Sequence, residues 1–307
     1  MASEQAKEMA QRYASVRERT SKPDLDLATR RDIDESLHSL AREPERVSFA
    51  EVDADGVPAL WCIPEGSDAE HVLLHCHAGG TVVFSMHSDR KAAGHIARAA
   101  GLRALVLDYR RSPEHRFPAQ TDDVDRAYQW LLTQGCRPEN IVSGGHSIGG
   151  NFAVSLPVRL RDRGAPLPGA ILSISPWYDM ELKNETLESK AQTDKLLSRP
   201  GLESFRESWL GGTGVARDDP RVNMLYADLT RLPPTMIYYG EDEIVAGDAV
   251  ELAKRAEAAG VDVSLRSVPA GQHSFIMGAG RVPEVDQAIQ EMGRWLRSRL
   301  GLAASVV

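Results

Sequence analysis

Residues 140–152 constrain the fold more than any other part of the 307-residue chain, and they read Asn-Ile-Val-Ser-Gly-Gly-His-Ser-Ile-Gly-Gly-Asn-Phe. Ile141 and Val142 are β-branched, which is typical of a short buried strand. After Gly150, apolar residues recur at helical spacing. Between strand and helix, residues 145–149 match the G-x-S-x-G motif. This pattern predicts a sharp strand-to-helix turn that carries a serine nucleophile.

Ser147 is the expected nucleophile, and the turn explains the two glycines beside it. A residue at such a turn holds a strained backbone conformation, and side chains two positions away would keep strand and helix apart. The backbone N–H groups of Ser147 and Ile148 would then lie at the start of the helix, where an oxyanion is stabilised. The alternative is a strand-to-helix turn without chemistry, because the motif also occurs by chance.

The composition is that of a globular chain, with 42% hydrophobic and 26% charged residues, and its length allows at most two domains. Acidic residues outnumber basic ones by 44 to 36, and no basic block interleaves with aromatic residues, so nucleic acid is not an expected partner. No apolar run is long enough for a signal peptide or a membrane span. Three cysteines without a pairing pattern favour a cytoplasmic location.

The order of predicted elements indicates an α/β fold. Two strands at 47–52 and 57–63, separated by Asp, Ala, Asp and Gly, predict an antiparallel hairpin. From residue 71 onward strands alternate with helices, which predicts a mostly parallel sheet covered on both faces. The six further strands are expected at 72–76, 102–107, 141–143, 170–174, 235–239 and 261–268.

Two segments contain no strand signal. Residues 1–45 have apolar residues at helical spacing and are predicted to lie over the core as an N-terminal helical segment. Residues 181–230 contain helical pieces and are predicted to be an insertion between two strands of the sheet. The remaining chain, 46–307, is expected to form one catalytic domain.

A serine nucleophile needs a base and an acid that orients the base. His273 is the candidate base, because it lies in a glycine-containing loop after the last predicted strand. The acid is expected at the end of the strand 235–239, where residues 241–243 read Glu-Asp-Glu. Asp179, after the preceding strand, is a further candidate.

Residues 77–80, His-Ala-Gly-Gly, follow the strand 72–76. Gly79 and Gly80 allow backbone N–H groups to turn inward as oxyanion donors. A phosphate-binding loop is disfavoured, because neither G-x-G-x-x-G nor Gly-Lys-Ser/Thr is present, and we expect no cofactor. His75 and His77 could suggest a zinc pair, but no third ligand stands at metal spacing, so no metal is predicted.

Four motifs together resemble those of the bacterial hormone-sensitive-lipase family of α/β-hydrolase carboxylesterases. Residues 77–80 are similar to the family's oxyanion motif His-Gly-Gly-Gly, and 145–150 to its elbow Gly-Asp-Ser-Ala-Gly-Gly. Residues 109–119, Tyr-Arg-Arg-Ser-Pro-Glu-His-Arg-Phe-Pro-Ala, closely resemble its most specific motif, and 175–179 match its Ser-Pro-Trp-x-Asp. The likeness runs from about residue 45 to 300.

The resemblance implies an α/β-hydrolase fold with a mostly parallel eight-stranded sheet and a helical cap formed by 1–45 and 181–230. It implies a cofactor-free serine esterase that acts on short acyl esters. When the family's acid motif is laid without gaps from Pro234, its catalytic aspartate falls on Glu243, which we prefer over Asp242. The implied oxyanion donors are the N–H groups of Gly79, Gly80 and Ile148. The family also suggests a homodimer through the last strand and helix.

Three departures from the family pattern set this chain apart. Ala78 replaces a glycine of the oxyanion motif, and His146 and Ile148 replace Asp and Ala in the elbow. The branched side chain of Ile148 is expected to narrow the site beside the nucleophile.

Alternative functions are a lactone hydrolase with the same triad, a serine amidase or carbamate hydrolase, and a ligand receptor without catalysis.

Overall fold

A computed structural model describes residues 2–302, and its centre is one eight-stranded sheet with the order β1-β2-β4-β3-β5-β6-β7-β8. The strands are β1 Val47–Asp53, β2 Pro58–Pro64, β3 Asp68–Cys76, β4 Leu102–Leu107, β5 Ile141–His146, β6 Ala170–Ile174, β7 Thr235–Gly240 and β8 Val263–Val268. β2 runs antiparallel to both β1 and β4, and the other neighbours are parallel. The predicted α/β-hydrolase fold is confirmed.

The first two strands form the predicted hairpin. Val47 pairs with Pro64 and Asp53 with Pro58. Asp55 and Gly56 both have positive φ angles, 58° and 82°. Two consecutive positive φ angles are the geometry of the tight turn that suits the twist of a hairpin, and the Asp-Gly pair favours it.

Nine α-helices occur in the part of the chain that the structure describes. They are α1 Glu4–Thr20, α2 Leu27–Glu35, α3 Met86–Ala100, α4 Ala119–Thr133, α5 Ile148–Asp162, α6 Thr186–Ser189, α7 Arg199–Leu210, α8 Ala246–Ala258 and α9 Pro283–Arg299. The apolar pattern predicts that α3 begins at residue 92. The helix begins six residues earlier, at Met86, because Ser85 and Ser88 form a capping box.

The sheet carries apolar residues on both faces, and each face is covered by helices. One buried cluster joins α1, α3 and α9 to one face of the sheet. Two further clusters join α4, α5 and α8 to the other face. The carboxyl ends of the parallel strands therefore remain free to carry a site at one edge of the sheet.

The N-terminal helices and the insertion lie close to those strand ends. The Tyr13 hydroxyl in α1 donates a hydrogen bond to the Ser274 carbonyl, and Arg17 donates to the carbonyls of Asp194 and Leu197. The insertion, residues 181–230, contains α6 and α7 and no strand. Between residues 2 and 302, no helix has the length and apolar character needed to cross a membrane.

Candidate active site

Ser147 stands between β5 and α5 with φ 58° and ψ −122°, a strained conformation for a residue with a side chain. A Cβ atom on Gly149 would lie 2.0 Å from the Cys76 carbonyl oxygen, and one on Gly145 would lie 2.4 Å from the Gly149 carbonyl oxygen. Side chains at these two positions would therefore force β3 and α5 apart. The predicted reason for the glycines is confirmed.

Ser147, His273 and Glu243 form one hydrogen-bonded chain. The Ser147 Oγ atom lies 2.9 Å from His273 Nε2, and His273 Nδ1 lies 2.9 Å from Glu243 Oε2. Glu243 follows β7 and His273 follows β8, so adjacent parallel strands bring the acid and the base together. All three side chains are buried. The arrangement can move a proton from the serine to the imidazole while a carboxylate faces the other ring nitrogen.

Burial shifts the pKa values of Glu243 and His273 in the directions that disfavour their charged forms. Loss of water raises the pKa of Glu243 to about 8, although the hydroxyl of Ser175, the N–H of Gly240 and the charge of His146 act in the opposite direction. Loss of water also lowers the pKa of His273 to about 4, against the nearby Asp194 carboxylate. The imidazole is therefore held neutral, as a base must be before it accepts a proton.

A loop rich in positive φ angles lies opposite Ser147. Gly79 and Gly80 have φ angles of 97° and 59°. No hydrogen bond among residues 2–302 uses the N–H of Gly79, Gly80 or Ile148, so these donors can face a ligand. The Ser147 N–H instead donates to the Ile174 carbonyl at 2.9 Å. The expectation that the Ser147 N–H serves as an oxyanion donor is therefore wrong.

The 109–119 stretch supports this loop. The Tyr109 hydroxyl donates to the His77 carbonyl at 2.8 Å, and the two rings stack with centroids 4.1 Å apart. Arg111 donates to the Phe84 carbonyl, and the Ser112 N–H donates to the Thr81 carbonyl. The most specific sequence motif thus acts by holding the loop that carries Gly79 and Gly80, a role that sequence reasoning missed.

A cavity of about 430 Å³ opens above Ser147 and His273. Its wall comes from the end of α1 and from α2, from the loop 78–84, and from residues 196–205 of the insertion. Apolar and polar groups share this wall, and its apolar members include Val83, Phe84, Trp177, Leu202 and Phe205. The volume lies in the range of pockets that enclose small organic molecules.

Comparison with known proteins identifies the family. The sequence profile of the α/β-hydrolase fold matches residues 73–277. The crystal structure of an esterase from the bacterial hormone-sensitive-lipase family superposes with a TM-score of 0.91 at 37% identity, covering 98% of this chain and all of that one. The chain belongs to the bacterial hormone-sensitive-lipase group of the α/β-hydrolase family.

Two relatives within this family are similar over most of their length. An acetyl-hydrolase from Streptomyces hygroscopicus is 35% identical over 243 residues, 79% of this chain and 80% of the relative. An esterase from Acinetobacter venetianus is 30% identical over 232 residues, 76% of each chain. The predicted family membership is confirmed.

The other carboxylates considered for the hydrolase site lie elsewhere. The Glu241 carboxylate accepts a hydrogen bond from the Ser267 hydroxyl, and that of Asp179 accepts bonds from nearby backbone N–H groups. Across residues 2–302, neither these two nor Asp242 is hydrogen-bonded to His273. Glu243 is the carboxylate that faces the imidazole.

The branched side chain of Ile148 does not face the cavity. Its side chain is fully buried and belongs to the apolar cluster that contains Phe152 and Leu156. It is not part of the cavity wall. The expectation that Ile148 narrows the site is therefore wrong, because the helix turns its side chain into the core.

The two histidines considered for zinc do not share a site. His77 stacks on Tyr109 and contacts the Ala78 carbonyl, whereas His75 contacts Asp89 and lies near His146. Among residues 2–302, the trio His75, Asp89 and His146 is the group whose ligand atoms lie within 4.8 Å of one another, as a metal site would need. No local spacing links the three positions, so the sequence could not predict the group.

Asp194 is a further buried residue that the sequence did not single out. Its carboxylate accepts hydrogen bonds from the N–H groups of Leu196, Leu197 and Ile244. The nearby Gln272 side chain accepts a hydrogen bond from the Lys195 N–H and donates one to the Thr193 carbonyl, and both residues belong to the insertion. The insertion therefore holds both loops that carry Glu243 and His273.

Proposed function

We propose that this hydrolase is a serine carboxylesterase that cleaves short acyl esters through an acyl-enzyme. The observation that carries the proposal is the buried chain Ser147–His273–Glu243, with 2.9 Å at each contact. The esterases among its relatives support the same chemistry. No cofactor takes part in the proposed reaction.

The proposed reaction has two halves. Ser147 Oγ attacks the ester carbonyl carbon while its proton passes to His273 Nε2, and Glu243 stabilises the imidazolium. The proton then passes to the leaving alkoxide as the C–O bond breaks, which releases the alcohol and leaves an acylated serine. A water molecule attacks the acyl carbon, its proton goes to His273, and Ser147 regains that proton as the acid leaves.

The oxyanion formed in each half needs donors that are free before the reaction. The N–H groups of Gly79, Gly80 and Ile148 are the proposed donors. Two observations support this assignment. Gly79, Gly80 and Ser147 line the same cavity, and the N–H groups of Gly79, Gly80 and Ile148 donate no hydrogen bond within residues 2–302.

We assign the short-acyl preference to a cap made of residues 1–45 and 181–230. Both segments contribute to the wall of the cavity of about 430 Å³ above Ser147. The acetyl-hydrolase among the relatives favours the same assignment. In this proposal the cap sets the length of the acyl and alcohol groups, and residues 46–307 outside the insertion carry the chemistry.

A panel of p-nitrophenyl esters from acetate to octanoate tests the proposal. We expect turnover that is highest for the short esters and that disappears in Ser147→Ala. The matched control is Ser298→Ala, an exposed serine on α9 that should keep the full rate. A purified protein without ester turnover, or an active Ser147→Ala variant, contradicts the proposal.

Lactones, anilides and a fluorophosphonate probe, measured beside this panel, separate three alternative functions. A lactone hydrolase would turn over lactones faster than open esters, and an amidase would turn over anilides faster than the matching ester. A receptor would not react at Ser147 with a fluorophosphonate probe. A cytoplasmic location and a homodimer remain predictions, which cell fractionation and size-exclusion chromatography test.

A further inference from the structure

Beneath the nucleophile lies a second buried chain of titratable groups. It joins His75 of β3, Asp89 of α3 and His146 of β5, and all three side chains are fully buried. The Asp89 Oδ2 atom lies 2.9 Å from His75 Nε2 and 2.9 Å from His146 Nδ1. We call this group the elbow cluster, and the proposed esterase reaction uses none of its side chains.

The elbow cluster holds a negative charge in the core. Burial alone would raise the pKa of Asp89, but the two imidazoles hold it well below its usual range. A buried carboxylate without partners is costly, so the two imidazoles are the groups that stabilise the Asp89 carboxylate in the core. Within residues 2–302 neither nitrogen of His146 makes a hydrogen bond of good geometry, and its close polar contact is the 2.9 Å separation between Nδ1 and Asp89 Oδ2.

A metal ion is the competing occupant, because two histidines and a carboxylate are suitable ligands for a zinc-like cation. Metal-bound imidazoles almost always donate their second N–H to an acceptor. In the described chain His75 Nδ1 and His146 Nε2 have no such acceptor. The separation of 2.9 Å between His75 Nε2 and Asp89 Oδ2 is that of a direct hydrogen bond. The missing acceptors at the outer ring nitrogens therefore disfavour a metal in the elbow cluster.

The cluster acts on the residue next to the nucleophile. His146 directly precedes Ser147, whose backbone is strained at φ 58°. Strained residues persist only where their surroundings hold them in place. Asp89 holds the His146 side chain from α3, a helix on the face of the sheet covered by α1 and α9. The elbow is thus fixed both by the main chain of β5 and by a side-chain contact across the core.

We propose that Asp89, together with His75 and His146, is a positioning residue that fixes the Ser147 elbow for attack. This role rests on the proposed esterase function. In this chain the carboxylate of the contact stands on α3 and the imidazole on the elbow. If the role depends on the opposite polarity of the two groups, a variant in which Asp and His exchange positions 89 and 146 should keep it.

The test begins with Asp89→Asn, which removes the charge and keeps the size. We expect kcat for p-nitrophenyl acetate to fall about 10- to 100-fold, since a displacement near 1 Å costs rate in this range, while KM stays constant. His146→Asp places two buried carboxylates against each other, and we expect a larger loss. The double variant Asp89→His with His146→Asp restores an opposite-charge pair and should recover most of the kcat.

Asp125→Asn is the matched control, because Asp125 is a partly buried carboxylate, paired with Arg159 and Arg163 and outside the cavity wall. We expect it to leave kcat unchanged. An Asp89→Asn variant with the wild-type kcat, or a double variant as slow as His146→Asp, overturns the proposal. If Asp89→Asn does not fold, the double variant alone decides.

Two measurements distinguish the positioning role from a metal site and from a failure of the esterase function. Metal analysis of the wild-type protein should find no bound zinc, and one equivalent that is lost in Asp89→Asn overturns the proposal in favour of a metal site. Wild-type ester turnover is measured first. Its absence contradicts the esterase function itself, whereas active wild type with an unaffected Asp89→Asn variant contradicts only the positioning role.

Discussion

Gly79→Ala tests most directly the proposed role of the loop 78–84 in binding the oxyanion. The added Cβ would lie 2.0 Å from the Val83 carbonyl oxygen, and real contacts of this kind do not fall below 3.0 Å. Gly79 and Val83 must therefore separate by about 1 Å. That movement breaks the turn in which the Gly79 carbonyl accepts hydrogen bonds from Val82 N and Val83 N at 2.9 and 3.0 Å. The N–H groups of Gly79 and Gly80 move with it.

The expected loss follows from this displacement. Removal of one oxyanion donor costs about 10²–10³ in kcat, or about 3–4 kcal/mol of transition-state stabilisation. We expect Gly79→Ala to lower kcat for p-nitrophenyl acetate by that factor with little change in KM. Steady-state rates over a range of substrate concentrations give both constants, and thermal unfolding shows whether the variant is folded.

Gly135→Ala is the matched control for backbone strain. Gly135 has a φ angle of 86°, close to the 97° of Gly79, but a Cβ there meets nothing within 4 Å. Both alanines carry a similar strain of about 1–2 kcal/mol. Only Gly79→Ala should lose activity. A folded Gly79→Ala variant with the wild-type kcat, or an equal loss in Gly135→Ala, would refute the reasoning.

Three further predictions concern the pH dependence, the N-terminal helix and the cavity. Because burial raises the pKa of Glu243 to about 8 and keeps His273 neutral down to about 4, the active pair of carboxylate and neutral imidazole forms only as the pH rises. We therefore expect kcat/KM to increase with pH around a midpoint near 8, and a midpoint at or below the ordinary histidine value of 6.5 contradicts this. Tyr13→Phe removes the bond to the Ser274 carbonyl, which should cost about 1 kcal/mol and lower Tm by about 1.5 °C in calorimetry, and an unchanged Tm speaks against that bond. Phe205→Ala widens the cavity beside Gly80, so the ratio of kcat/KM for hexanoate to that for acetate should rise about 10-fold, and a constant ratio shows that Phe205 does not limit chain length.

The sequence predicts the fold well, because its signals are local. The alternation of strands and helices and the Asp55-Gly56 turn each depend on neighbouring residues, and the structure contains all eight expected strands. The apolar pattern places the beginning of α3 too late, because the first turn of that helix is polar and depends on the Ser85–Ser88 capping box. An apolar pattern cannot detect such a start.

The candidate site was predictable where a motif carried it. Ser147, Glu243 and His273 follow three strands in the order typical of this fold, and the structure brings them together. Asp89 and Asp194 were not predictable. Each contacts residues distant in sequence, and nothing in their local sequence differs from that of an exposed acidic residue.

Asp194 and Gln272 tie residues 193–197 of the insertion to the loops of Glu243 and His273. The segment that shapes the cavity thus also holds the loops that carry Glu243 and His273. A graft of this insertion from a relative would change substrate preference and catalytic rate together. New specificities should therefore be easier to obtain by point substitutions on α7 than by exchange of the whole segment.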